Sequence, residues 1–397
     1  MQLLKLALKN IRGSAFRSVA IFLCVMGVTG FLLATTLIIK GAEYSLDSGL
    51  KRLGADILVV PTGADNKVET ALLMGRPTDV WMPGSNIKPI SSVEGVQSVS
   101  AQVYLSSLYG AACCAVSEMF MVVFDPATDF TVTPWLEKNL GRQLKPGEVI
   151  GGSYIFVPQG EKYVRLYGYD MTLAGNLTPT GTGLDQTLFL TMETAQAMAK
   201  SSVTSAVQPL VIKPGQISAI LVKVKPGVDT HAVALRIVRD TEGMVPIESP
   251  NLFGAFRTQM NGLLWGFFAI TVVVWALAML LIGLIFSMAA NERRREMAVL
   301  RAIGATRSFI FQSVLTEAGL LAFSGAIVGI IAAALGIFMF KDYLAESLRM
   351  PFLFPSLSSF LALFIGGVAL AIITVTLAAL VPAYRISRQE LAIAMRE

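Results

Sequence analysis

The sequence has little that could carry covalent chemistry. It holds one histidine, His231, and three cysteines among 397 residues, which argues against a histidine-based triad or a multi-histidine metal site. The cysteines are too few for a disulfide framework, and Cys24 sits inside an apolar run. No GxxxxGK[ST] phosphate loop occurs, so the chain cannot hold ATP in that manner. Charge is scarce as well. Charged residues make up 15% against 54% hydrophobic, and the mean hydropathy is +0.63. A soluble globular protein is excluded in favour of several membrane spans. The net charge of +5 comes from basic residues gathered beside apolar segments. That pattern orients a chain in a bilayer and gives no reason to expect a nucleic-acid partner.

Those apolar segments number four. Lys5, Lys9, Arg12 and Arg17 precede an unbroken apolar run from Val19 to Ile39. About 20 helical residues cross a hydrocarbon core of roughly 30 Å. A cleaved signal peptide would have an apolar core of only about 7–15 residues, so an uncleaved span is expected. The division read from composition is an amphipathic cytoplasmic helix at 1–17 and spans at 18–40, 259–290, 308–340 and 360–382. A short external loop at 341–359 carries Pro351 and Pro355, and a basic tail follows at 383–397. Four spans put every basic cluster on one side, which places both termini in the cytoplasm. Gly27, Gly30 and Ala34 line one face of the first span, and Gly325, Gly329 and Ala333 one face of the third. Such faces let helix backbones approach, within one chain or across a dimer. Glu317 is the one acid inside a span. An ionised group at a span's centre costs about 2.5–3.5 kcal/mol, so a structural contact near the helix's cytoplasmic start is expected for it.

Residues 41–258 are water-soluble in character and long enough to bury a core of their own. Strands are expected at Asp56–Val60, Val96–Tyr104, Ala219–Lys225 and Met244–Ile247, with a short helix near Ser91–Glu94. Asp229 is placed to cap a helix whose Ala234, Ile237 and Val238 face inward, closed by Gly243. These units from the two ends would form a small mixed sheet. A β-rich insertion lies between them, at about 112–208, and Asn66–Gly84 reads as a surface loop around Met74, Trp81 and Met82. Within the insertion Cys113 and Cys114 are adjacent. Soft ligands of that kind suit zinc, Cu(I) or haem iron, but the C-x-x-C spacing is missing and alternation sends neighbours to opposite faces. They are expected to be small strand residues, and His231 a surface residue.

The chain is organised around Asn291–Arg307, NERRREMAVLRAIGATR, the most polar stretch between two spans. It reads as a short basic helix with Met297, Leu300 and Gly304 on one face and Arg294, Arg295 and Arg301 crowding another. Gly304 can end it in the left-handed conformation, and Thr306 can cap the next helix. A bare topological loop would need only the arginines. Apolar residues at a helix–Gly–helix corner suit a docking partner.

EMAVLRAIGAT at Glu296–Thr306 resembles the cytoplasmic segment of the FtsX-like permease family, which includes MacB-type and lipoprotein-releasing ABC transporters. The opening LALKNIRGSAFRS, the stretches GRQLKPGEVIGG and TGTGLDQTLFLTMETAQAM, and the closing Pro382, Ala383, Arg385, Ala394 and Arg396 are similar to family patterns too. Members commonly carry a proline where this chain has Gln389-Glu390-Leu391. The resemblance implies an α-helical membrane protein with four transmembrane helices and a large α+β extracytoplasmic domain inserted between helices 1 and 2. It also implies the permease subunit of an ABC transporter of the bacterial inner membrane, not itself an enzyme. Such a subunit binds no cofactor, leaving ATP and magnesium to a separate ABC ATPase. It works as a homodimer or as a heterodimer with a related permease, together with an accessory envelope protein. The ATPase-coupling interface it implies is Glu296, Met297, Leu300, Arg301, Gly304, Ala305 and Thr306. Cargo would be exported or extracted from the envelope: a lipoprotein, peptide, lipophilic drug or haem. The rival is a regulator that activates a cell-wall hydrolase, as FtsX does.

Overall fold

The computed structural model describes residues 2–106, 119–157, 163–206, 209–292, 294–346 and 351–387. They form two compact units. A helical unit takes residues 1–40, 261–341 and 355–397, and a sheet unit takes 41–260 and 342–354. In chain order the elements begin with helices α1 (Gln2–Gly13) and α2 (Ala15–Leu53). There follow β1 (Ile57–Pro61), α3 (Asp65–Met74), β2 (Met82–Pro83), α4 (Ile87–Ser91), β3 (Val96–Ser106) and β4 (Phe120–Phe124). Next come α5 (Thr133–Asn139), β5 (Glu148–Gly151), β6 (Val164–Leu166), β7 (Tyr169–Asn176), β8 (Thr187–Thr191) and α6 (Met192–Ser205). The sheet unit continues with β9 (Gln216–Ile217), β10 (Ala219–Val224), α7 (Thr230–Asp240) and β11 (Met244–Glu248). Helices α8 (Gly254–Glu292), α9 (Arg294–Ala302), α10 (Arg307–Glu346) and α11 (Leu357–Ser387) complete the chain.

Among the described residues four helices are long and apolar enough to cross a membrane, and they are α2, α8, α10 and α11. Large apolar side chains such as Leu280, Leu284, Phe338, Ile365 and Ile373 stay exposed along them. Such helices bury only the seam they share and leave the rest to lipid. The seam is built from Ile21 and Val25 of α2, Ile282 and Phe286 of α8, Ala318 and Ala322 of α10, and Val375 and Ala379 of α11.

Among the described residues the sheet unit holds a nine-stranded mixed sheet, ordered β11-β1-β10-β3-β4-β8-β5-β7-β6, and a two-stranded sheet of β2 and β9. Both faces of the larger sheet are covered, which is why its central strands read as continuous apolar runs. Alternation is strict: Ile57, Val59, Ile220, Val222, Val103 and Met121 enter one core, and Leu58, Val60, Leu221, Tyr104 and Val122 enter the other. The first face is closed by Ile90 of α4, Ala195 and Met198 of α6, and Val233, Ala234 and Ile237 of α7. The second is closed by Val68, Ala71 and Leu72 of α3, Leu136 of α5, and Leu46 and Leu53 of α2.

Several expectations change. The two end units and the insertion are not separate, because β3 pairs with β4, which pairs in parallel with β8. Asn66–Gly84 is not a loop throughout. Val68, Ala71 and Leu72 recur at helical spacing, and Gly75 closes α3 at φ +64° by bonding Ala71 O. Met82 is buried and pairs with Ile217. Val238 faces out, and Val233 takes its place in the core. Asp229 caps α7 through the amide of His231, while His231 itself lies at the surface against Glu248, 2.7 Å away. α2 does not stop near residue 40. Ala42, Ser45, Leu46 and Leu53 carry a buried stripe to Gly54, whose φ of +60° ends the helix. Arg52 Nη2 then donates to Thr178 O at 2.8 Å, and the buried Asp185 holds that loop by accepting from the amides of Thr180 and Gly181. Burial raises the Asp185 carboxyl above its ordinary pKa.

Candidate functional site

The polar stretch between α8 and α10 folds as a helix and a capped corner. In the corner, Gly304 has φ +105°, its amide donates to Arg301 O at 3.0 Å, and the Ala305 amide donates to Leu300 O at 3.0 Å. That pair of bonds is a Schellman motif. It satisfies carbonyls that the helix end leaves open. Thr306 caps α10 by accepting from the Phe309 amide at 3.2 Å.

The two sides of α9 have different fates. Met297 is 7% exposed and packs with Ile310 and Ile386, with Leu300 and Val314 beside them. Four residues of the expected docking set are therefore not the outward apolar anchors: Met297 and Leu300 face the chain's own bundle, and Gly304 and Ala305 shape the turn. Glu296, Ala302 and Thr306 are exposed and Arg301 is half-buried. The outward apolar surface belongs to Val299, 49% exposed, and Ile303, 80% exposed. They stand one turn apart on one side of the helix. Helical periodicity grouped Met297 and Leu300 correctly, but Gly304 lies past the helix end and is exposed, and periodicity could not say which side the bundle would claim.

Beneath α9 lies an ion pair that sequence reading missed. Glu317, 4% exposed, accepts from Arg17 Nη2 at 2.8 Å, and the same nitrogen reaches Ser14 Oγ at 2.8 Å. Glu317 is thus a structural contact, as expected, and its counterion comes from the basic flank of the first span. A small cavity beside the pair is lined by Arg17, Met297, Val314, Glu317, Pro382 and Ile386. Arg17 Nε and Nη1 are buried with no hydrogen-bond partner among the described residues. Five parts of the chain meet there: the α1–α2 corner, the end of α8 with Phe286 and Ala289, α9, α10 and the end of α11.

The small-residue faces serve packing inside the chain. A Cβ at Gly325 would lie 3.0 Å from Phe22 O, and one at Gly30 would lie 3.1 Å from Gly329 O. A Cβ at Gly329 would strike Met26 O. α2 and α10 therefore touch backbone to backbone, as small residues allow. Ala333 is half-buried, while Gly27 is exposed with open space around it. Trp275 Nε1 donates to Thr374 Oγ1 at 3.0 Å, tying α8 to α11. Among the described residues no three His, Cys, Asp or Glu side chains cluster as metal ligands would. Cys113 and Cys114 lie outside the described residues, as do Arg388, Ala394 and Arg396 of the tail.

Residues 268–391 match the FtsX-like permease C-terminal family. That stretch holds most of α8, the α9 corner, α10 and α11. No curated protein matches the chain. Among solved structures, the periplasmic region of MacB from Actinobacillus actinomycetemcomitans is similar at 11% identity. The match covers 52% of this chain and 95% of that one, with a TM-score of 0.32. The extracellular domain of the noncanonic ABC-type transporter YknZ from Gram-positive bacteria matches at 11% identity, covering 49% and 99%, with a TM-score of 0.28.

Proposed function

We propose that this FtsX-like permease is the membrane subunit of an ABC transporter, driven by a separate ATP-hydrolysing subunit that docks on α9. The observation that carries the reading is the corner itself. Within the FtsX-like region a short helix is fixed by a Schellman turn and a Thr cap, and it holds Val299 and Ile303 outward beside the exposed Glu296. An apolar pair rimmed by charge is the usual make-up of an interface anchor. The side facing inward, Met297 and Leu300, rests on α10 and α11, so a push on α9 is delivered to two membrane-length helices.

Transmission would continue along α2. That helix is unbroken from Ala15 to Leu53, and its last turns form part of the sheet unit's own core through Leu46 and Leu53. α2 also touches α10 backbone to backbone at Gly30 and Gly329. In this reading the sheet domain lies outside the cytoplasm, both termini lie inside, and two permease copies (or one with a related partner) share two ATPases. Cargo would be a molecule already in the envelope or outer leaflet: a lipoprotein, peptide, lipophilic drug or haem.

The test is capture of the full chain from native membranes, followed by identification of stoichiometric partners. A subunit with a phosphate-binding loop is the expected outcome. Recovery of a cell-wall hydrolase, with cargo movement absent, would favour the regulatory rival. Recovery of neither would remove the transporter reading.

A further inference from the structure

We propose that the cavity beside Arg17 and Glu317 is a binding site for a buried water, which accepts from Arg17 and completes the ion pair. An arginine carries five N–H donors and no acceptor. Arg17 uses one nitrogen on protein partners: Nη2 donates to Glu317 Oε1 and to Ser14 Oγ, each at 2.8 Å. The Arg17 side chain is only 11% exposed and that of Glu317 5%. Nε and Nη1 are buried with no partner among the described residues. A buried donor without an acceptor is costly, and a charged one more so. Folded proteins nearly always supply the acceptor, from protein or from ordered water.

The cavity gives that acceptor its place. Apart from Arg17 and Glu317, it is lined by Phe286 and Ala289 of α8, Met297 of α9, Val314 of α10, and Pro382 and Ile386 of α11. None of those six side chains carries an oxygen or nitrogen atom. A water's centre can range over about 20 Å³ there, so at least one water fits. The Arg17 donors and the Glu317 carboxylate offer the two to four polar partners that buried waters have. A bound anion would meet the charge of Glu317 in the same small space, and a bound cation would meet that of Arg17. A neutral molecule that both accepts and donates suits the two groups together, and water is the smallest. It also turns to follow its donors, so the parts that meet at the cavity can shift without stranding the guanidinium. The inference needs no ATPase on α9.

Two measurements on the full chain in lipid bilayers test it. The first is water-edited magnetic resonance of nitrogen-labelled arginine side chains, with the Arg17 Nε signal identified as the one missing from Arg17→Met. That signal should gain polarisation from water as quickly as those of exposed arginines do, although Arg17 is buried. Transfer at the slow rate of a dry group would overturn the proposal. The second measurement fills the cavity with Val314→Ile and, separately, Ala289→Leu. Either change displaces the acceptor of Arg17, and should lower the unfolding temperature by a few degrees. Overpacking alone would do the same. Both changes are therefore repeated in the Arg17→Met, Glu317→Leu background, which has no donor to strand. There the loss should vanish or become a gain. An equal loss in both backgrounds, or a gain in the otherwise wild-type chain, contradicts the water site.

Discussion

Arg17 and Glu317 stand 300 positions apart and form a buried charge pair in the helical unit. A lone buried charge is expensive, so removing one partner of such a pair typically costs about 3–5 kcal/mol. Arg17→Met and Glu317→Leu should each destabilise the full chain in detergent by a large part of that range. The double variant should recover most of the loss, since two apolar side chains leave no unpaired charge. Thermal unfolding of the four chains measures this, and strictly additive losses would mean the pair is not coupled. His231 offers a second, milder test. Its hydrogen bond to Glu248, with that carboxylate's charge, raises the imidazole pKa, so the stabilisation is complete below the ordinary value of about 6.5. It should fade as pH rises through the higher folded value. The protection factors of the β11 amides, with the intrinsic rise of exchange with pH divided out, should therefore fall over that window in the wild type. In His231→Gln they should not change with pH.

At the scale of elements, the packing of α2 on α10 makes a paired prediction. Gly329→Leu places a side chain where Met26 O already lies, and overpacking of this kind costs about 1–3 kcal/mol or more. Gly27→Leu meets open space, and should stay within about 0.5 kcal/mol. Both follow from unfolding in detergent, and equal effects would mean that the two helices do not pack this closely. Much at this scale was legible in the sequence. Uninterrupted apolar runs announced the spans, and Gly304 with Thr306 announced the corner, because left-handed glycine and hydroxyl caps are local devices. Asp229 announced α7 in the same way. α3 was missed because its polar neighbours masked a short apolar stripe. The end of α2 was missed because the change in composition at Gly41 marks a change of surroundings and leaves the helix intact. The inward choice of Met297 over Val299, and the partner of Glu317, depend on contacts distant in sequence. One chain's periodicity does not encode those.

At the scale of the whole molecule, the proposed topology and the proposed mechanical role of α9 are each open to test. If the basic clusters lie in the cytoplasm, as proposed, a membrane-impermeant thiol reagent should label Asn176→Cys in intact cells and leave Ser308→Cys untouched until the membrane is opened, both in a chain whose Cys24, Cys113 and Cys114 are replaced by alanine. The reverse pattern would invert the protein. The mechanical claim rests on the outward side of α9, where a charge in a partner's apolar groove is costly and loss of a buried anchor often removes 2 kcal/mol or more, about thirty-fold in affinity. The most direct measurement co-expresses the chain with the proposed ATPase, once captured from native membranes, and compares wild type, Ile303→Asp and Met297→Ala for ATPase recovered and for unfolding temperature. Ile303→Asp should lose the ATPase at least ten-fold with an unchanged unfolding temperature, because Ile303 touches little of its own chain. Met297→Ala should lower the unfolding temperature first. Normal ATPase recovery by Ile303→Asp would show that α9 is only a connection between two spans.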